Sequence, residues 1–177
     1  MKINRLQAVI EADLSQEDLK HYTISSLCEH ADISRGVFYY YFHSLDRCLC
    51  MCLLRRHKCV MAHTKRQNLT SRLYFLLKHI DQNKIYYLNV FHFLKNDYEA
   101  LQILEAQLRE FLKDYCDKRG PYSVYTVERI SRILFAQIVC WLQLECEQTV
   151  KEVHRQFMLL IPLLEQQADK LPLIERP

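Results

Sequence analysis

The segment RGVFYYYF, residues 35–42, carries the residue types in this chain that best fit recognition of double-stranded DNA. Arg35 can donate two hydrogen bonds to O6 and N7 of a guanine, and Val37 suits contact with a thymine methyl group. Gly36, one of only two glycines in 177 residues, lets the backbone approach another molecule closely. Five consecutive aromatic residues follow, and three of them are tyrosines, whose hydroxyls would need partners if buried. On the surface, those hydroxyls could instead reach phosphate oxygens.

Two short helices joined by a tight turn must position this segment. Thr23 is expected to cap a helix over residues 24–31, and the DIS turn, residues 32–34, leads into the helix over residues 35–42. The small Cys28 allows the two helices to cross closely. Apolar residues fill the wedge between them: Leu27, Ala31, Ile33 and Phe38. Such a helix-turn-helix places the start of its second helix in a major groove about 12 Å wide.

The same spacing also fits a generic helical hairpin, in which Arg35 is solvated and the tyrosines only cap a core. Short helix pairs with a small residue at their crossing occur by chance. The residues of this segment alone leave both interpretations open.

The rest of the chain predicts an all-α protein of about nine helices. Half of the residues are hydrophobic, and apolar residues recur at spacings of three and four, as in helices. The chain has only two glycines and four prolines, which are too few for many tight β-hairpin turns. The predicted helices are about Lys2–Asp13, 24–31, 35–42, Ser44–Gln67, Thr70–Asp81, Lys84–Leu94, Asp97–Lys118, Ser123–Glu145 and Val150–Ala168. Gly120-Pro121 should end the seventh, a capping box from Thr149 to Glu152 should start the last, and Pro162 should kink it.

The composition of the chain indicates where the protein is expected to be located and which classes of function it argues against. There is no apolar run of 18 residues and no signal peptide, so a cytoplasmic protein is expected. The net charge of +3 falls entirely within residues 1–66, which carry ten Lys and Arg against seven Asp and Glu. No Ser-His-Asp pattern, phosphate-binding glycine loop or recognisable zinc motif is present, which argues against an enzyme.

Eight cysteines raise the question of disulfides or of a metal or redox sensor. Most lie inside helical patterns, where a reduced cysteine acts as a small hydrophobe. The segment CLCMCLLRRHKC, residues 48–59, could contribute soft ligands, but one straight helix cannot surround a metal tetrahedrally. The prediction is reduced thiols, no metal site and no cofactor, with a metal or redox sensor as the alternative.

The segment TISSLCEHADISRGVFYYYFHSLDRCL resembles the DNA-binding domain of the TetR/AcrR family of bacterial transcriptional regulators. The match extends from Leu6 to Leu49, and its GVFYYYF-S core is the most specific part. The resemblance implies a three-helix DNA-binding domain over residues 1–46 and a helical ligand-binding and dimerisation domain over residues 47–177.

The resemblance also implies roles for individual residues on double-stranded DNA. Phosphate or base-edge contacts would come from Thr23, Ser25 and Ser34, base contacts from Arg35, Gly36 and Val37, and backbone contacts from Tyr39, Tyr41 and His43. Tyr40 and Phe42 would pack against the first and fourth helices. Asp32 stands where relatives have glycine, and Leu45 stands where they often have a basic residue that contacts phosphate.

For the larger domain, the resemblance implies a four-helix dimer interface built from the last two helices of each chain and matched to a palindromic operator. The predicted interface residues are Ile130, Ile133, Leu134, Ile138 and Trp141 on one helix and Val150, Val153, Phe157, Leu160 and Leu164 on the next. Burial of both stripes within one chain is the alternative.

The resemblance also implies a pocket for a small-molecule effector among the middle helices, with Tyr87, Phe91, His92 and Trp141 as candidate contacts. The function expected is a homodimeric repressor that the effector releases from its operator. A helical adaptor or partner-dependent co-regulator without its own ligand is the alternative.

Overall fold

The computed structural model describes residues 2–16, 19, 21–119 and 122–165, which form ten helices and no strand. Their bounds are α1 Lys2–Leu14, α2 Ile24–Ala31, α3 Arg35–Phe42, α4 Leu45–His63, α5 Leu69–Gln82, α6 Lys84–Leu94, α7 Tyr98–Asp117, α8 Val124–Gln143, α9 Val150–Met158 and α10 Ile161–Glu165. The all-α class is confirmed. The predicted stop at Gly120-Pro121 and the predicted end at Ala168 lie outside the described residues.

Pro162 accounts for the helix beyond the nine expected. The sequence predicts one kinked final helix, whereas α9 ends at Met158 and α10 begins at Ile161. Proline lacks an N–H, and its ring clashes with the carbonyl four residues earlier, which here belongs to Met158. The helix therefore breaks instead of bending. The predicted capping box at Thr149 is confirmed.

Local hydrogen bonds fix the ends of α2 and α3. Thr23 Oγ1 accepts from Ser26 N at 3.2 Å, and Thr23 N donates to Ser26 Oγ at 3.1 Å, forming a capping box. Ser34 Oγ accepts from Val37 N at 3.3 Å and caps α3. Between the helices Asp32 adopts φ 52° and ψ 53°, the left-handed conformation expected where relatives have glycine.

We name α1, α2 and α3 the head and α4 to α10 the body. The head packs on a core to which α3 contributes Phe38 and Phe42, and Cys28 is buried between α2 and α3 as predicted. The other buried residues of the head helices are Leu6, Ile10, Asp13, Leu14, Leu27 and Ala31. This core continues into that of the body, and the division of the chain at residue 46 stays a prediction.

The predicted dimer stripes form the core of the body instead. In the body α7 packs along α8 and α5 packs against α9. Seven of the ten stripe residues are buried within the single chain: Ile130, Leu134, Ile138, Trp141, Val153, Phe157 and Leu164. The assignment of these seven to a dimer interface is therefore wrong, because their own chain already covers them. Of the other three stripe residues, Val150 and Leu160 are half-buried, and Ile133 is exposed, at 41%.

No helix within the described residues is both long enough and apolar enough to span a membrane.

A buried carboxylate joins α1 to α2 and to the segment before it. Asp13 Oδ2 accepts a hydrogen bond from the Tyr22 hydroxyl at 2.9 Å and lies 2.9 Å from Nδ1 of His30. The hydrogen bond to Asp13 raises the pKa of His30 above its ordinary value. A histidine pKa that is higher in the folded state stabilises the fold below the unfolded pKa. That stabilisation is lost as the pH rises through the folded pKa.

We expect His30→Gln to lower the free energy of unfolding more at pH 5.5 than at pH 8.5, because only the protonated imidazole pairs with the Asp13 carboxylate. Urea unfolding at both pH values measures the difference. Tyr22→Phe removes a hydrogen bond to the same carboxylate without removing the titrating ring, so it should cost about 1–3 kcal/mol at either pH. Equal costs of His30→Gln at the two pH values would contradict the assignment.

Candidate nucleic-acid interface and the adjoining cavity

The helix α3 divides its aromatic residues between a buried side and an exposed side. Phe38 and Phe42, four residues apart, lie in the core, whereas Tyr39 and Tyr41 are about half exposed. Tyr40 is 78% exposed, so the prediction that it packs against the first and fourth helices is wrong. A residue two positions from Phe38 is rotated by about 200° around the helix axis and must point away from the core.

Arg35 lies at the leading end of this exposed side. Its Nη2 donates to Oγ of Ser25, in the first turn of α2, at 2.5 Å. The structure thus brings together two residues that the sequence predicted for the interface. A guanidinium carries five donors, and this is the only hydrogen bond of the Arg35 side chain among the described residues. Most of its donors remain free for another molecule.

The two cap residues keep a hydrogen-bonding group for a partner. The Ser34 hydroxyl oxygen accepts from Val37 N, so its hydrogen can still be donated. Thr23 Oγ1 lies 3.2 Å from Ser26 Oγ, and either hydroxyl can be the donor. Ser34 and Thr23 are both exposed, as is Ser25, while Val37 is half-buried beside them.

Gly36 has no role inside the fold that requires glycine. A Cβ atom built at this position would meet only Ser34 Oγ, at 3.9 Å, which is ordinary van der Waals contact. Glycine within a helix costs about 0.5–1 kcal/mol relative to alanine. Gly36 is also exposed. Nothing in the fold therefore requires a glycine at this position, which fits a site where the backbone approaches another molecule closely.

Arg47, in the first turn of α4, is a basic residue near this surface that the sequence did not lead us to expect there. His43 is exposed at the end of α3, with φ 65°, and Ser44 Oγ accepts from Arg47 N at 3.1 Å. Leu45 packs against the core, but Arg47 is exposed in the same first turn. The capping residue Ser44 could have pointed to Arg47, because it marks the start of α4. A residue in the first turn of a helix lies beside the free N–H groups of that end, where a phosphate can bind.

One arginine of α4 forms several of the polar contacts between the head and the body. Arg56 Nη1 lies 3.3 Å from Oε1 of Glu11 in α1, while Nε donates to His79 Nε2 at 3.0 Å and Nη2 to Asn83 Oδ1 at 2.7 Å. Its guanidinium also lies over the Tyr86 ring, 4.6 Å from the centroid. One side chain therefore connects α1, α4, α5 and α6.

A second link holds the end of α1. Asn89 Nδ2, on α6, donates to the backbone oxygens of Leu14 at 2.9 Å and Gln16 at 3.0 Å. These oxygens belong to the carboxyl end of the helix, where carbonyls lack partners within the helix. The orientation of α1 on the body is thus fixed by polar contacts as well as by packing.

A cavity of about 440 Å³ lies within the body, bounded by residues of α4 to α8. Its wall is mostly leucine, isoleucine, valine, methionine and phenylalanine, and it includes Tyr87 and Phe91, one helical turn apart on α6. His57 also lines it and stacks on Tyr87, with ring centroids 5.8 Å apart. Burial lowers the pKa of His57 to about 4, so this imidazole is neutral near pH 7.

The other two candidate effector residues lie elsewhere. His92 is exposed and borders a separate groove with Gln16 and Asn89, because the residue after Phe91 is turned a further 100° around α6. Trp141 is buried in the core, where Nε1 donates to Gln148 O at 2.9 Å. For the effector pocket, both placements are corrections to the sequence prediction.

The cysteines of α4 are mostly buried. Cys48 and Cys52 lie one turn apart, and a hydrogen bond between them together with burial raises the pKa of the Cys48 thiol. Within the described residues, no three His, Cys, Asp or Glu side chains converge as a metal site would require.

Comparison with known proteins identifies the fold. No model of a protein family matches the chain, and no curated protein matches its sequence. Among solved structures, the dihydroxyacetone kinase operon activator DhaS has 17% identity and a TM-score of 0.62, covering 96% of this chain and 99% of its own. Thermus thermophilus FadR, a TetR-family repressor solved with lauroyl-CoA, has 16% identity and a TM-score of 0.63, covering 99% of each chain. A TetR-family regulator from Rhodococcus sp. has 13% identity and a TM-score of 0.57, covering 92% and 98%. The chain therefore has, over nearly its whole length, the fold of TetR-family transcriptional regulators.

Proposed function

We propose that this protein is a homodimeric, sequence-specific DNA-binding transcriptional regulator, whose α3 enters the major groove. The observation that carries the proposal is the leading end of α3. Gly36 is a glycine that its own fold does not need, and it stands beside Arg35, an arginine with unused donors. A surface glycine next to an unsatisfied arginine is what close approach to base edges requires.

Phosphate contacts would flank this end. Tyr39, Tyr41 and His43 are exposed along α3 and the turn after it, and Arg47 adds a positive charge. The N–H groups at the start of α4 can also donate hydrogen bonds to a phosphate. Such contacts orient the protein on the duplex, whereas Arg35 and Val37 supply sequence readout.

A homodimer would present two heads to a palindromic operator, because one short recognition helix contacts few base pairs. The outer face of α8 is the surface we assign to the dimer, since most residues of the predicted stripes are covered within the chain and Ile133 is the one that remains clearly exposed. Its exposed residues include Arg129, Ile133, Ala136 and Cys140.

The cavity is the proposed effector site, and repression released by the effector is the proposed mode. The fold accommodates both signs of regulation, since DhaS is an operon activator and Thermus thermophilus FadR is a repressor. Two cavity residues, His57 and Tyr87, lie next to Arg56 in sequence or space, and Arg56 bonds Glu11 of α1. An effector that displaces this wall would change the position of the head and so favour one of two states.

We expect Arg35→Ala to weaken binding to the preferred sequence at least tenfold, because a bidentate arginine–guanine contact contributes about 1–3 kcal/mol of discrimination. Selection from random double-stranded oligonucleotides would first supply that sequence, and fluorescence anisotropy at several salt concentrations would measure affinity. Arg66→Ala removes the same charge from an exposed position beyond the end of α4 and serves as the control. Selection without enrichment, or equal effects of the two variants, would favour the adaptor function.

Gly36→Ala separates stability from binding. Alanine should raise the free energy of unfolding by about 0.5–1 kcal/mol, because nothing in the fold opposes a Cβ here. The same methyl group should lower affinity for the selected DNA. Urea unfolding and anisotropy on one sample measure both effects, and unchanged DNA affinity would remove the main support for close approach of α3.

Ile133→Glu should convert the dimer to a monomer and weaken operator binding, because it buries a carboxylate in the proposed α8 interface. Sedimentation velocity measures the mass. Ile103→Glu is the matched control, since Ile103 on α7 is also 41% exposed. A wild-type monomer, or a dimer that survives Ile133→Glu, would show that α8 is not the interface.

A further inference from the structure

The cavity wall contains a buried cation that the fold leaves without an acidic partner. Arg72 on α5 is only 6% exposed, and its guanidinium lies over the Phe111 ring, 4.1 Å from the centroid. Its Nε is buried without a hydrogen-bond partner, and no carboxylate among the described residues lies within ion-pair distance of Arg72. Burial lowers the pKa of Arg72 from its ordinary value. Buried charges are costly unless they are paired, so this site is suited to an anion.

The two acids that also line the cavity are already engaged elsewhere. Glu110 Oε1 lies 2.9 Å from Nζ of Lys113, and Asp114 Oδ2 lies 2.7 Å from Nζ of Lys118. Asp114 acts on Arg72 only at longer range. Two further lysines of the lining, Lys58 and Lys65, are exposed and form no ion pair among the described side chains. The charge that these side chains leave for a ligand in the cavity is therefore positive.

The other end of the cavity is neutral but polar. His57 Nε2 is buried without a hydrogen-bond partner among the described residues, and the Tyr87 hydroxyl is buried near the Arg56 guanidinium. Arg72 and His79 lie seven residues apart on α5, about 10 Å of helix rise, and the ring centroids of His79 and Tyr87 are 5.9 Å apart. Most of the other residues that line the cavity are apolar. Buried polar atoms without partners are uncommon in native folds, so His57 Nε2 indicates a second polar point on a ligand.

We infer that the cavity binds an elongated, apolar carboxylate of medium chain length, with its carboxylate at Arg72 and a neutral hydroxyl or carbonyl group at His57 and Tyr87. This assignment rests on the proposed effector site and names the chemical class it would take. The apolar body displaces water from the leucine-rich wall, which supplies the driving force. The carboxylate accepts hydrogen bonds from the guanidinium. The distal polar group selects among carboxylates.

The probes are four ten-carbon compounds: decanoate, 10-hydroxydecanoate, 1-decanol and decylammonium. Isothermal titration calorimetry with the full chain, without DNA, is expected to rank them in the order 10-hydroxydecanoate, decanoate, decanol, decylammonium, with at least tenfold between decanoate and decanol. Equal affinity for decanoate and decanol, preference for decylammonium, or no binding of any probe would overturn the assignment. The wild-type protein alone decides this point.

Two substitutions then test where the carboxylate and the distal polar group of the ligand bind. Arg72→Met keeps an apolar side chain of similar length, and it should lower decanoate affinity at least tenfold while leaving decanol affinity unchanged. Lys78→Met removes the same charge from an exposed position of α5 outside the cavity and should change neither. His57→Phe should abolish the advantage of 10-hydroxydecanoate over decanoate. If Arg72→Met binds decanoate like the wild type, the anion site is misplaced.

DNA binding distinguishes this inference from the proposed function. Arg72-dependent binding of decanoate that leaves DNA affinity unchanged would support the ligand class and contradict release by the effector. Sequence-specific DNA binding without affinity for any of the four probes would support the regulator and contradict the ligand class.

Discussion

The position of the head depends on the guanidinium of Arg56. It is only 15% exposed, yet it bonds His79 and Asn83, pairs with Glu11 and lies over the Tyr86 ring. A buried guanidinium must satisfy its donors within the protein, and these partners come from three helices other than its own. The helices α1, α5 and α6 therefore meet α4 in one arrangement. Any movement of α1 relative to the body has to break or replace the bond to Glu11.

This constraint explains how a cavity inside the body could influence DNA binding at the head. His57 follows Arg56 on α4, and Tyr87 stacks on His57 while its ring centroid lies 6.0 Å from the Arg56 guanidinium. The apolar side of this wall faces the cavity, and its polar side joins α1. A ligand needs to favour only one of two packings of the wall, because close-packed interfaces shift between discrete states. The proposed coupling between the cavity and α1 therefore passes through only a few side chains.

Much of the fold could be predicted from local signals. Thr23, Ser34 and Thr149 each cap a helix, and such caps need only residues within one turn. The sequence could not show what each apolar stripe packs against. Periodicity indicates that one face of a helix is buried, but four of the five residues in the stripe of Trp141 are covered by their own chain, and only Ile133 is left for a second copy. Tyr40 was misplaced because family resemblance does not determine which side of a two-turn helix is exposed.

Three arginines illustrate what the fold satisfies and what it leaves unmet. Arg56 uses its donors on residues of its own chain, whereas Arg35 has one bond, to Ser25, and Arg72 has no acidic partner among the described residues. Each guanidinium carries the same five donors. The donors that the chain itself does not use are therefore those that remain for other molecules. Arg35 is exposed at the end of a helix, where a long polyanion can reach it, and Arg72 lines a mostly apolar cavity that would suit a small anion with an apolar body. Arg35 and Arg72 thus differ in burial, and Arg56 bonds α1 of the head to helices that line the cavity.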